Sequence, residues 1–168
     1  MTSMLKRYGW AVAALAAVAL LLMLALRSPD RQKGLTEYEA AGTMRHIATV
    51  DVTAVQLVAG TRELRFERRN GAWSDDAPAI EAALRLLHNT PPERNFEVAA
   101  PEFGLDPPTL TVRVQTADGR AFEADFGAAN PIGLARYVRV RSGGTTTLHL
   151  MPGYVAEAWE PLAKKATR

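Results

Sequence analysis

TLTVRVQTADGRAFEADF, residues 109–126, alternates in character on both sides of an Asp-Gly pair. Leu110, Val112 and Val114 are interleaved with Thr111, Arg113 and Gln115; beyond Asp118 and Gly119, Phe122, Ala124 and Phe126 are interleaved with Glu123 and Asp125. A period of two sends successive side chains to opposite faces of a strand, and Asp-Gly tolerates the positive φ of a tight turn. The segment is therefore expected to form an antiparallel hairpin, strands 109–116 and 121–126, with one apolar and one charged face.

Working outward, residues 136–141 and 145–150 repeat the pattern around Ser142, Gly143 and Gly144, and residues 154–163 are expected to close the domain as a helix. Upstream, 52–58 and 62–68 are strand candidates, with Leu64 and Phe66 inward and Glu63, Arg65 and Glu67 outward. Asn70 and Gly71 suit a turn with positive φ, and Trp73, a core residue, begins the returning segment. Asp75 or Asp76 then caps a helix with Pro78 in its first turn, where a missing N–H costs nothing. Ile80, Leu84 and Leu87, flanked by Ala77 and Ala83, form one apolar stripe, and Pro91 and Pro92 end the helix. A short strand follows at 95–98. Hairpins, one helix and more hairpins predict an α+β domain: a small antiparallel sheet with one main covering helix.

The region before this domain has a different character. Residues 10–26 carry no charge, and Trp10, Leu15, Leu20, Leu21, Leu22, Leu24 and Leu26 mark an apolar run of about 26 Å if helical. With Lys6 and Arg7 before it and Arg27, Arg31 and Lys33 after it, the run is expected to be a single transmembrane helix. Its end, Leu24-Ala25-Leu26-Arg27, lacks the small residues of a cleavage site, and the chain has no cysteine for a lipid anchor. The expected organisation is an N-terminus and anchor over 1–27, a tether over 28–45 containing Pro29, Gly34 and Gly42, and a domain over 46–168. Flanking charge alone leaves the topology open.

From Met44 onward the chain has 15 Lys plus Arg and 15 Asp plus Glu, so its formal +2 arises in the first 43 residues. A neutral domain argues against nucleic acid as a partner. No Walker-type loop or Gly-x-Gly-x-x-Gly is present, which leaves nucleotide binding without support. Ser74 and Ser142 lie outside any nucleophile elbow, and His46, His88 and His149 are too far apart for a helical zinc signature. Neither a catalytic residue nor a cofactor or metal is therefore expected.

Two loops and one strand stand out as candidate partner-binding elements. Phe103-Gly104-Leu105-Asp106-Pro107-Pro108 joins two apolar plugs to a proline pair, and reads either as a rigid turn that pins the next strand or as a contact loop. Residues 127–133, with Asn130, Pro131 and Ile132, are long for a hairpin connection. Arg136, Tyr137, Arg139 and Arg141 form the densest basic cluster. Alternation places Arg139 and Arg141 on the face of Tyr137, with Arg136 opposite.

These landmarks in this order, Gly71 to Trp73, the aspartate-led helix to Leu87, Phe103 to Pro108, Phe126-Gly127, Asn130-Pro131 and Arg136-Tyr137-Val138, resemble a domain of unknown function in bacterial envelope proteins associated with gliding-type ABC transporters. The resemblance spans about residues 50–151. It implies a single-pass inner-membrane protein with its domain in the periplasm, an auxiliary component that acts by protein–protein interaction with envelope proteins such as transporter subunits, and it supplies no catalytic residues. The alternative is a periplasmic binding module for a glycan, lipid or peptide.

Overall fold

The computed structural model describes residues 15–19, 23 and 41–165. The chain divides into two compact units between residues 39 and 40. In the first, residues 15–19 and 23 are helical, with Leu15, Val18 and Met23 exposed.

The second unit is built on strands β1 (Val52–Ala59), β2 (Arg62–Arg69), β3 (Ala72–Trp73), β4 (Arg94–Phe96), β5 (Leu110–Thr116), β6 (Ala121–Ala129), β7 (Ala135–Ser142) and β8 (Thr145–Pro152). Between and after them lie helices α1 (Ala77–Asn89), α2 (Gly153–Glu157) and α3 (Glu160–Lys165). The strands form one sheet, in the order β3-β2-β1-β5-β6-β7-β8-β4, and every pairing is antiparallel. The β5–β6 hairpin closes as its alternation requires, Val112 opposite Ala124 and Arg113 opposite Glu123. Asn70 and Gly71 both adopt positive φ, 52° and 81°, as a primed turn demands.

One face of the sheet carries the core. Val55, Leu57, Phe66, Val112, Val114, Phe122, Ala124, Phe126, Val138 and Val140 pack against Ile80, Leu84 and Leu87 of α1 and against Val155, Trp159 and Leu162. Met44 and Ile47, both fully buried, complete this layer. At about 25 cal/mol per Å² of apolar surface removed from water, such a continuous layer is the main source of stability.

This architecture corrects the expected fold. The unit is mostly an eight-stranded antiparallel sheet with few helices, rather than an α+β domain with a small sheet. The hairpins read separately from the sequence merge because residues 97–109 return the chain from β4, beside β8 at one edge, to β5 beside β1 in the middle. Among the described residues no helix is long and apolar enough to cross a membrane, in contrast to the single transmembrane helix expected over residues 10–26. Of residues 10–26 only 15–19 and 23 are described; Trp10, Leu20, Leu21, Leu22, Leu24 and Leu26 lie outside the described residues.

Three local expectations also change. The Asp76 side chain does not cap α1: Asp76 is left-handed (φ 49°), its N–H donates to Asp75 Oδ1 at 2.8 Å, and its carboxylate binds Lys165. The terminal helix is split into α2 and α3, because Pro161 has no N–H to continue the ladder. Finally, residues 42–45, read as the end of the tether, pack on the domain. The N–H groups of Gly42 and Met44 donate to the carbonyls of His88 and Leu87, each at 3.0 Å, satisfying the end of α1. A side chain at Gly42 would collide with the backbone there.

Candidate functional site

The second sheet face is polar, and strand register organises it. One row across the sheet runs Arg65, Gln56, Arg113, Glu123, Arg141, Thr146, and the next runs Glu63, Val58, Thr111, Asp125, Arg139, Leu148, Phe96. Asp125 is almost fully buried in this face. It accepts hydrogen bonds from Thr111 Oγ1 (2.7 Å) and Arg139 Nε (3.0 Å), and pairs with Arg139 Nη2 (2.9 Å) and Arg141 Nη1 (2.8 Å). Arg141 also binds Glu123, which accepts from Arg113 Nε at 2.6 Å. The Glu123 bond raises the Arg113 pKa. At Arg139, burial pulls the pKa down, but the bonds to Asp125 and Asp106 outweigh it and the net shift is upward.

The Phe103 loop lies on this face, over β6 to β8. Phe103 and Leu105 are buried with Leu148, and the Phe103 ring stacks on Tyr137 at 4.1 Å and 11°. Phe96 tilts against both rings. Two glycines permit this approach: Gly104 takes φ 61°, and a Cβ on Gly127 would strike the Phe103 carbonyl oxygen. Arg139 Nη2 donates to the Leu105 carbonyl (3.0 Å) and Nη1 to Asp106 (3.1 Å), ahead of a cis Asp106–Pro107 peptide. Phe103, Leu105, Tyr137, Arg139 and Arg141 are thus brought together, and they hold one another. Asp106 and Pro107 are the members of the loop that face solvent.

Asn130, Pro131 and Arg136 belong to a different place, the corner where β6 turns into β7. Asn130 Oδ1 accepts the N–H groups of Leu134 (3.0 Å) and Ala135 (3.1 Å), while its backbone bonds Ala135 and Gly133, each at 2.8 Å. The turn is fixed from within, which leaves the side chains of Pro131, Ile132 and Leu134 outside it. Ile132 and Leu134 are 73% and 72% exposed. The Gly153 N–H donates to the Leu134 carbonyl at 2.8 Å, which brings exposed Tyr154 to the same corner. Three large exposed apolar side chains at one corner depart from the scatter expected on an ordinary surface.

Arg136 points to the core face, as alternation requires. It lines an apolar pocket of about 250 Å³ between α3 and the sheet, with Leu110, Phe126, Ala156 and Ala163. Its Nη1 donates to the Gly127 carbonyl at 3.2 Å, and it forms no ion pair among the described residues. Glu160 and Lys164, on the same rim, pair with each other at 3.4 Å. The sequence reading did not single out Leu134, Tyr154, Glu160 or Lys164; an apolar side chain between the Gly133 turn and the start of a strand is the signal that Leu134 offered.

At the other end of β7, His46, Ser142, Thr147 and His149 line a cleft of about 540 Å³. His46 Nε2 lies 2.6 Å from Ser142 Oγ, a pairing that sequence distance concealed. Burial first, then the cations Arg120 and Arg45 and finally His88, lower the His46 pKa; burial alone lowers that of His149. A neutral imidazole beside a hydroxyl is the beginning of a nucleophilic site, which also requires a group orienting the base and donors for an oxyanion. Among the described residues no acid bonds the His46 ring, and no cluster of His, Cys, Asp and Glu is placed to hold a metal ion. His149 is engaged by Asn95 (2.7 Å) and Thr147 (2.8 Å).

The fold and its corner define a class: an open antiparallel sheet, helices on one side, and a rigid loop that presents apolar side chains. Comparison with protein-family models, with curated proteins and with solved structures returned no match.

Proposed function

We propose that the domain is a non-enzymatic interaction module that binds another protein through the Asn130–Arg136 corner. The observation that carries this reading is the convergence of exposed Ile132, Leu134 and Tyr154 on a turn held rigid by Asn130. Apolar side chains on a preorganised loop lose little entropy on docking, and patches of this kind mark contact sites. The partner's chemistry follows from the surroundings: an apolar knob accompanied by a negative charge, to complement Arg136.

The charged sheet face is a poorer contact surface, because Arg113, Glu123, Asp125, Arg139 and Arg141 are already paired with one another. Placement in the periplasm as an accessory of a transport system rests on the resemblance of Phe103 to Pro108, Phe126-Gly127 and Arg136 to Val138 to the envelope domain. Photo-crosslinking residues at positions 132, 134 and 154 of the full chain, introduced singly in cells, are expected to trap one common partner protein. The same residue at positions 63 and 65 on the open sheet face should trap none. Equal adducts from both sets would remove the corner from the proposal.

A further inference from the structure

The three arginines of β7 differ in one respect. Arg139 and Arg141 each have carboxylate partners, whereas half-buried Arg136 has only the Gly127 carbonyl among the described residues. A guanidinium beside an apolar cavity is costly to desolvate unless an anion shares the site, and it presents a planar fork suited to a carboxylate. The rim adds Lys164 and Glu160, which offset each other, so the pocket retains one positive charge.

Size narrows the occupant. A cavity of about 150 Å³ is enough to hold benzene; this one, at about 250 Å³, has room for one large apolar side chain. An apolar group and a carboxylate only two bonds apart occur together at the end of a polypeptide, and C-terminal capture is a recurring mode of peptide recognition. We infer that the pocket between α3 and the sheet receives the C-terminal residue of the partner chain, its side chain against Leu110, Phe126, Ala156 and Ala163 and its carboxylate on Arg136. The preceding partner residues then run toward Ile132, Leu134 and Tyr154. This inference rests on the protein-contact reading of the same corner and specifies what is recognised there.

The test uses the full chain and two probes, acetyl-Gly-Ser-Ala-Phe with a free C-terminus and the same peptide amidated, followed by amide chemical-shift titration. The free acid is expected to bind about tenfold more tightly than the amide, the discrimination one charge-assisted hydrogen bond supplies, with shifts at Phe126, Arg136 and Ala163. Arg136→Gln, which keeps a donor for the Gly127 carbonyl, should bring the two peptides to equal affinity. Ala163→Leu, which fills the cavity, should weaken both. Equal binding of acid and amide to the wild type would overturn the inference, as would shifts outside the pocket. Binding of sodium octanoate in preference to the peptide acid would also overturn it, by assigning the pocket to a free fatty carboxylate. Failure of every probe while crosslinking at 132 and 154 succeeds would refute C-terminal capture and leave the protein-contact reading standing.

Discussion

Replacing Asp125 with asparagine is expected to destabilise the domain by about 2–3 kcal/mol. Removing one member of a buried ion pair typically costs about 3–5 kcal/mol, because the remaining charge loses its compensation without regaining water. Two features reduce that figure here. The amide oxygen of the introduced asparagine would still accept the Thr111 hydroxyl, and the two cations left behind have outlets: the Arg139 side chain is 17% exposed and still meets Asp106, while Arg141, 39% exposed, still meets Glu123. For a domain of this size the loss corresponds to a fall in Tm of about 10 °C, at roughly 3–5 °C per kcal/mol. The assay is urea and thermal unfolding followed by circular dichroism, with Asp106→Asn as the control. The Asp106 side chain is 78% exposed, and its pair with Arg139 should contribute no more than about 1 kcal/mol. A loss at Asp125 below about 0.5 kcal/mol, or one equal to that at Asp106, would refute the view that burial gives this carboxylate its weight.

Three further outcomes follow from other sites. Gly127→Ala should destabilise by about 1–3 kcal/mol and loosen the Phe103–Tyr137 stack, read as lost near-ultraviolet dichroism, because its methyl group would meet the Phe103 carbonyl. Glu81→Ala should cost about 1–3 kcal/mol in urea unfolding, since it removes the acceptor for Trp73 Nε1 (2.9 Å) and the partner of Arg68, whose Nε is already buried without a bond. Folded His149 has its pKa lowered from 6.5, so the unfolded chain binds more protons as pH falls below 6.5, and stability must decline there. The loss is present in full only below the folded pKa. A stability profile measured from about pH 8 to pH 4.5 should flatten below the unfolded value of 6.5 in His149→Gln; an unchanged slope would assign the effect to other groups.

Much of the sheet was legible because alternation reports which face a residue occupies. Leu110 to Val114 and Phe122 to Phe126 lie where their pattern places them, and the opposite orientation of Arg136 relative to Arg139 and Arg141 was read the same way. Alternation does not report partners, however. Nothing in residues 97–109 announces that they return from the β4 edge to the centre, and so one eight-stranded sheet was read as a smaller one. Alternation places Asp125 on the charged face of the hairpin but does not report its burial, which depends on Arg139, Arg141 and the Phe103 loop laid over them. Phe103 and Leu105 are buried with Leu148, a contact that two apolar residues around a glycine do not announce. Gly127 was noted only as part of a motif, because a glycine chosen for what must not be there leaves no pattern of its own. His46 and Ser142 meet only because residues 42–47 pack on the domain, a placement that the loose composition around Gly42 masked.

The central position of β5 also governs how the molecule assembles. Strands β5 to β8 form a meander of consecutive hairpins, and β1 to β3 form another, each built from neighbours in sequence. The seam between them, β1 against β5, joins residues about 60 positions apart, such as Val55 and Val114. Hairpins form in roughly 1–10 μs, whereas closing a long loop must meet its entropy cost before any contact rewards it. The seam is therefore the high-contact-order step, and the rate of folding belongs to Val55, Leu57, Val112 and Val114 more than to either meander.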